Sequence, residues 1–126
     1  MGIMTILIVD DSPAIRSSLR KCIEQNTGWS VCAEAENGLQ ALERVRQHRP
    51  DVVILDLSMP VMGGLEAAQH ISAQAPGTVM VLFTMYKSPQ LIKDAERVGI
   101  AAVVSKSDGI LDHLFQSLRA VMPKAS

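Results

Sequence analysis

The chain has 126 residues, 48% of them hydrophobic but only 3% aromatic, which suits one domain built on an aliphatic core and leaves little room for a second. Its net charge of −1 and pI near 6.3, with twelve Lys and Arg scattered along the chain, argue against direct nucleic-acid binding by this segment. Cys22 and Cys32 are too few and too far apart for a zinc site or a redox pair, and neither a bilayer-length apolar run nor a signal-peptide layout is present, so reduced thiols in a cytoplasmic protein are expected.

Strand-length apolar runs alternate with segments of helical period. Ile6-Leu7-Ile8-Val9 reads as a strand ending in Asp10-Asp11. Ser12 is a good N-cap and Pro13 a good first helical residue, and Ile15, Leu19, Cys22 and Ile23 follow at helical spacing until Gly28, the expected stop. Trp29 then reads as a packing anchor at the start of a second strand, roughly residues 30–35. Asn37-Gly38 turns the chain into a helix whose apolar stripe is Leu39, Leu42 and Val45. After Pro50, Val52-Val53-Ile54-Leu55 forms a third strand ending at Asp56. A loop with Pro60, Gly63 and Gly64 leads to a helix with Leu65, Ala68, Ile71 and Ala75 on one face.

Pro76-Gly77 makes the next turn, and the strand over residues 79–83 ends at Thr84. Leu91, Ile92, Ala95 and Val98 mark a fourth helix closed by Gly99. A fifth strand over roughly residues 101–104 ends at Ser105-Lys106. The last helix carries Leu111, Leu114, Leu118, Val121 and Met122, with Asp108 as its N-cap. His48, His70 and His113 lack metal-ligand spacing and read as solvated. Five βα units, with strands 1, 3, 4 and 5 continuously apolar, predict parallel strands covered on both faces. The fold class is therefore a doubly wound α/β sandwich of flavodoxin-like type, strand order 2-1-3-4-5, spanning residues 1–126, with residues 122–126 read as the start of a linker.

Open sheets of this kind bind ligands beyond the carboxyl ends of their strands. Those ends carry Asp10-Asp11, Asp56, Thr84 and Ser105-Lys106. Taken singly, each has an ordinary explanation: a helix-capping acid, a strand-end filler, a solvated lysine. Three carboxylates, the Thr84 hydroxyl and the Lys106 ammonium together at four strand ends are less easily dismissed. Three crowded carboxylates repel one another, and Mg²⁺ would relieve this, since it takes hard oxygen ligands and favours one or two carboxylates together with a phosphate oxygen. Asp56, central among them, is the candidate nucleophile. Thr84 can donate to a phosphate oxygen and Lys106 can pair with one.

These residues, with Asp56-Leu57-Ser58-Met59-Pro60, Gly63-Gly64, Ala35-Glu36-Asn37-Gly38 and Val98-Gly99, make the chain closely similar to receiver domains of bacterial two-component response regulators over nearly its full length. Within that family it looks most like receivers joined to a helix-turn-helix DNA-binding domain. The resemblance implies that Asp56 accepts phosphate from a phosphohistidine on a sensor kinase. It implies that Asp11, Asp56 and the Ser58 carbonyl ligate Mg²⁺, with Asp10 acting through water. Thr84 would move toward the phosphoryl group and Lys106 would pair with it. The signal would leave through helix 4, strand 5 and helix 5, with homodimerisation on phosphorylation an ordinary outcome.

Three positions depart from the family pattern. Val103 stands where many receivers carry Tyr or Phe, and an aliphatic side chain cannot perform a ring's rotamer swing. Ser107 follows Lys106 where Pro is common, so no cis peptide is expected there. Met85 follows Thr84 where a small residue is common, and is expected to narrow access to Asp56. Tyr86 and Ser58, flanking the site, are expected to tune loss of the phosphate. Three other functional readings fit less well. An aspartyl-phosphate hydrolase would carry a second Asp two residues after the nucleophile, where Ser58 stands. A flavin carrier would not place Asp10-Asp11 after strand 1. A phosphate-insensitive interaction module would not need the full acidic set.

Overall fold

Parallel pairing of four apolar strands beside an alternating edge strand sets the architecture. The computed structural model describes residues 3–109 and 113–121. In chain order it comprises β1 (Thr5–Val9), α1 (Pro13–Asn26), β2 (Ser30–Ala35), α2 (Gly38–His48), β3 (Val52–Leu55), α3 (Gly64–Gln74), β4 (Val79–Thr84), α4 (Pro89–Arg97) and β5 (Ala102–Ser105), then a 3₁₀ turn (Lys106–Asp108) and α5 (Phe115–Val121). The strands form one parallel sheet in the order β2-β1-β3-β4-β5. The expected Leu111 and Met122 of the last helix, and residues 122–126, lie outside the described residues.

Alternation along each strand divides the core in two. Leu7, Val9, Val53, Leu55, Met80 and Leu82 face a cluster completed by Ala41 and Val45 of α2, Ala67, Ala68 and Ile71 of α3, and Leu91 and Ala95 of α4. Ile6, Ile8, Val52, Ile54, Val81, Phe83 and Val104 face the opposite way, against Leu19 and Ile23 of α1 and Phe115 and Leu118 of α5. Trp29 packs edge-on to Phe115, ring centroids 6.2 Å apart, in the anchoring role expected of it. β1 beyond its first residue, β3 and β4 beyond its first residue are buried throughout, whereas β2 alternates. β5 departs from expectation. Only Val104 of its four residues is fully buried, because β5 is the other edge of the sheet.

Local chemistry explains the boundaries. Ser12, Asn37 and Ser88 each accept a backbone N–H of the first helical turn, from Ile15, Gln40 and Leu91. The end of α1 differs from the sequence reading. Thr27, not Gly28, caps it, its hydroxyl donating to the Ile23 carbonyl at 2.6 Å and accepting from the Trp29 amide at 3.0 Å. In α2 the buried face is Gly38, Ala41 and Val45, and Leu39, expected on the apolar stripe, is 55% exposed. The helix begins at Gly38, and its turn of 3.6 residues carries position 39 away from the inner face. Asp108 lies in the 3₁₀ turn, which Ser105 caps; residues 110–112, which the expected last helix includes, lie outside the described residues. Among the described residues there is no cis peptide, in keeping with Ser107 after Lys106, and no helix long and apolar enough to cross a membrane. His48, His70 and His113 are all exposed.

One residue of the β3–α3 loop is strained. Val61 sits at φ +69° with 78% of its surface exposed, a left-handed conformation that a β-branched side chain disfavours by about 1–2 kcal/mol. Because so little packing is at stake, Val61→Asn is expected to raise stability by about 1 kcal/mol, seen as a higher urea midpoint at unchanged slope. An unmoved midpoint would count against strain at this position.

Candidate functional site

The parallel register carries the acidic residues to one rim. Val9 of β1 stands opposite Leu55 of β3, so Asp10 and Asp56 leave the sheet side by side, and the Asp56 amide donates to the Val9 carbonyl at 2.9 Å. β1 and β3 are also where the chain reverses direction across the sheet, with α1 on one face and α2 and α3 on the other, which opens a crevice at their carboxyl ends. Thr84 pairs with Ser105 across β4 and β5, so Lys106 enters from the far side.

Carboxylate oxygens of Asp10, Asp11 and Asp56 all lie within 4.8 Å of one another. Asp10 and Asp56 are only 2% and 8% exposed, while Asp11 is open to solvent. The Lys106 ammonium lies between the two buried acids, 2.8 Å from Asp10 Oδ2 and 3.2 Å from Asp56 Oδ1, with its charge over the Phe83 ring at 5.9 Å. Asp10 Oδ1 accepts from the Ser12 amide, and Asp56 Oδ1, besides meeting Lys106, accepts from the Leu57 amide. Burial, and then the Asp10 charge, push the Asp56 carboxyl above its ordinary value, against the pull of Lys106. Burial opposes the Lys106 charge, yet Asp10 and then Asp56 outweigh it and raise that pKa.

The donor set fits a small hard cation. Three carboxylates against one ammonium leave two negative charges on one rim. An octahedral Mg²⁺ holds its oxygens at about 2.1 Å, hence roughly 3–4 Å from one another, a spacing this cluster can supply. Ser58 is exposed in the loop after Asp56. Among the described residues its carbonyl accepts no hydrogen bond, whereas the Leu57 and Pro60 carbonyls are taken by the amides of Gly64 and Met62. Gly64 is required by this packing, since a Cβ there would lie 2.1 Å from the Asp56 carbonyl oxygen. Gly38 likewise lets the start of α2 close on the same loop, its amide donating to the Met62 carbonyl at 2.8 Å.

Thr84 is fully buried at the end of β4, and its hydroxyl accepts from the Tyr86 amide at 3.1 Å, so it braces its own loop. Met85 and Tyr86 are exposed beyond it. Met85 borders a hollow of about 280 Å³ with Ile15, Ser18, Phe83 and Lys106. Val103 packs against the α2–α4 core cluster. Two supporting residues escaped the sequence reading. Arg16 donates to the Asp10 carbonyl, and Glu34 holds Arg16. The signal available in sequence was the i,i+4 spacing of Arg16 and Arg20 on α1, but it does not name a partner.

Residues 6–118 match the response regulator receiver domain family. The chain belongs to that family. It is 47% identical over 83 residues to the protein-glutamate methylesterase/protein-glutamine glutaminase 3 of Hahella chejuensis, a match covering 66% of this chain but 24% of that protein. It is 32% identical over 114 residues to the chemotaxis protein CheY of Listeria monocytogenes, covering 88% of this chain and 95% of that one. The crystal structure of a LuxR-family two-component response regulator from an Aurantimonas species superimposes with a TM-score of 0.89 at 32% identity, covering 95% of this chain and 85% of the other. This receiver domain thus spans about a quarter of the methylesterase and nearly the whole of the chemotaxis protein.

The raised Asp56 value gives a pH test. The neutral carboxyl favours folding below the unfolded value of about 3.8, and that advantage is lost as pH rises through the higher folded value. Asp56→Asn is therefore expected to melt higher than the parent at pH 7 in metal-free buffer, with the difference vanishing below about pH 3.8. Equal melting temperatures at pH 7 would argue that Lys106 cancels the cost of the buried charge.

Proposed function

We propose that residues 1–126 act as one receiver domain in which Asp56 accepts a phosphoryl group from a phosphohistidine of a sensor kinase, and that the resulting change of state controls transcription through a DNA-binding effector region. The observation that carries the reading is the buried, Lys106-bridged pair of Asp10 and Asp56 beside Asp11 at one rim of the sheet. Asp11, Asp56 and the Ser58 carbonyl would hold Mg²⁺, with Asp10 reaching it through water. When bound, the ion supplies charge neutralisation for the phosphoryl oxygens.

The chain's own residues do the rest. An Asp56 carboxylate oxygen attacks phosphorus in line as the P–N bond to the kinase imidazole breaks, and the departing imidazole takes up a proton. Lys106 transfers its contact from Asp56 to a phosphoryl oxygen as that carboxylate becomes an acyl phosphate. The Thr84 hydroxyl, which now only accepts, has its own proton to donate to another. Closing toward the phosphoryl group would draw the β4–α4 loop after it. Val103 has no ring to swing into the space Thr84 leaves, so the change would pass to α4, β5 and α5 through aliphatic packing and backbone movement. The domain is read as a cytoplasmic switch that assists its own phosphorylation and dephosphorylation and as no enzyme acting on other substrates. Homodimerisation on phosphorylation is part of this proposal.

The decisive measurement is intact mass after treatment with acetyl phosphate and Mg²⁺. One added phosphoryl group is expected on the parent chain and none on Asp56→Ala. A gain that persists in the variant would move the acceptor elsewhere. Met85, beside the Lys106 hollow, is expected to restrict approach. Met85→Ala should react severalfold faster with the same small donor, and an unchanged rate would remove Met85 from that role.

A further inference from the structure

Glu34, on the edge strand β2, is gripped by three arginines. The Arg16 Nε lies 3.0 Å from Glu34 Oε1 and the Arg20 Nε 2.7 Å from Oε2, so each carboxylate oxygen receives its own guanidinium. From the other face of the sheet, Arg44 of α2 donates to the Glu34 backbone carbonyl at 3.2 Å. Burial opposes ionisation of Glu34, but hydrogen bonds from Arg20 and then Arg16 outweigh it and hold the carboxyl below 4.5. Glu34 is thus a steady anion at neutral pH, and a guanidinium bonded to it is oriented rather than free.

Arg16 uses its other arm on the site. Its Nη1 donates to the Asp10 carbonyl at 2.6 Å. That carbonyl belongs to the peptide plane joining Asp10 to Asp11, so holding it restricts both acidic residues at once. On the preceding side, the Asp10 amide donates to the Ala35 carbonyl, one residue beyond Glu34. The acidic pair is therefore tied to β2 by its own backbone and again through Arg16 and Glu34.

We propose that Arg16, oriented by Glu34, is a positioning residue that preorganises the Asp10–Asp11 pair for a divalent cation. This rests on the metal-dependent receiver reading given above. The sign of its effect separates positioning from charge. By Coulomb's law alone a guanidinium near the site repels a cation, so removing it would tighten binding. Loss of positioning acts the other way, and partners that orient metal ligands commonly matter by about 10–100-fold in affinity. Arg20 is the matched control, because it carries the same charge and binds the same Glu34 but has no bond to the Asp10 carbonyl.

The test is the Mg²⁺ dissociation constant of the folded chain, measured by calorimetric titration at constant ionic strength. Arg16→Met is expected to weaken Mg²⁺ about 10-fold. Arg16→Lys, which keeps the charge but cannot fork between two acceptors, should fall between it and the parent, and serves if the methionine variant does not fold. Glu34→Gln should weaken binding in the same direction, while Arg20→Met should leave it equal or tighter. Unchanged or tighter binding in the Arg16 variants, or equal weakening in Arg20→Met, would overturn the proposal. Absence of Mg²⁺ uptake by the parent chain would instead remove the metal reading itself, and this inference with it.

Discussion

One backbone hydrogen bond, from the Asp56 amide to the Val9 carbonyl, continues the β1–β3 ladder one residue past the strands and seats two acidic residues beside each other. Everything at the rim answers to that adjacency. Two carboxylates cannot be buried together without compensation, and Lys106 arrives from β5 to bridge them. The cation compensates in part: burial and then the Asp10 charge push the Asp56 carboxyl up against its pull. The residual negative charge is what a cation bound at this rim, as proposed above, would neutralise.

Maintaining this arrangement demands support from both faces of the sheet. On one side α1 contributes Arg16, which reaches the Asp10 carbonyl while Glu34 steadies it. On the other, Gly38 and Gly64 let the starts of α2 and α3 close on the loop after Asp56, with no side chain in the way. That loop also contains Val61 at positive φ. Strain of this kind persists where surrounding contacts over-determine the backbone, and it clusters near functional loops. The aliphatic core beneath gives these short loops a stiff base, since three central strands are buried on both faces.

Family membership and the similar proteins place the site in context. The same domain accounts for nearly all of a chemotaxis protein and about a quarter of a methylesterase. The matching domain thus occurs both nearly alone and within a larger protein, and the rim residues here all come from this one chain. What such a module controls depends on its outer surfaces. Met85 and Tyr86 are exposed beside the rim, whereas Val103 is partly buried against the core beneath it.

Much was legible in the residues themselves. Apolar runs ending abruptly in Asp10, Asp56, Thr84 and Lys106 revealed both the strands and the polar rim, because burial imposes hydrophobicity and release from burial permits charge. Ser12, Asn37 and Ser88 sit at helix starts because capping is a local interaction, decided within four residues. Partners across the fold were not legible. Periodicity reports how deeply a residue is buried but not what it meets, so the Lys106 bridge, the Arg16–Glu34 tie and the closeness of Gly64 to the Asp56 carbonyl came only with the packed chain. Leu39 on the outside of α2 and the half-open β5 belong to the same class. Each depends on where an element lies in the assembled layers, and that position is a property of all the strands and helices together.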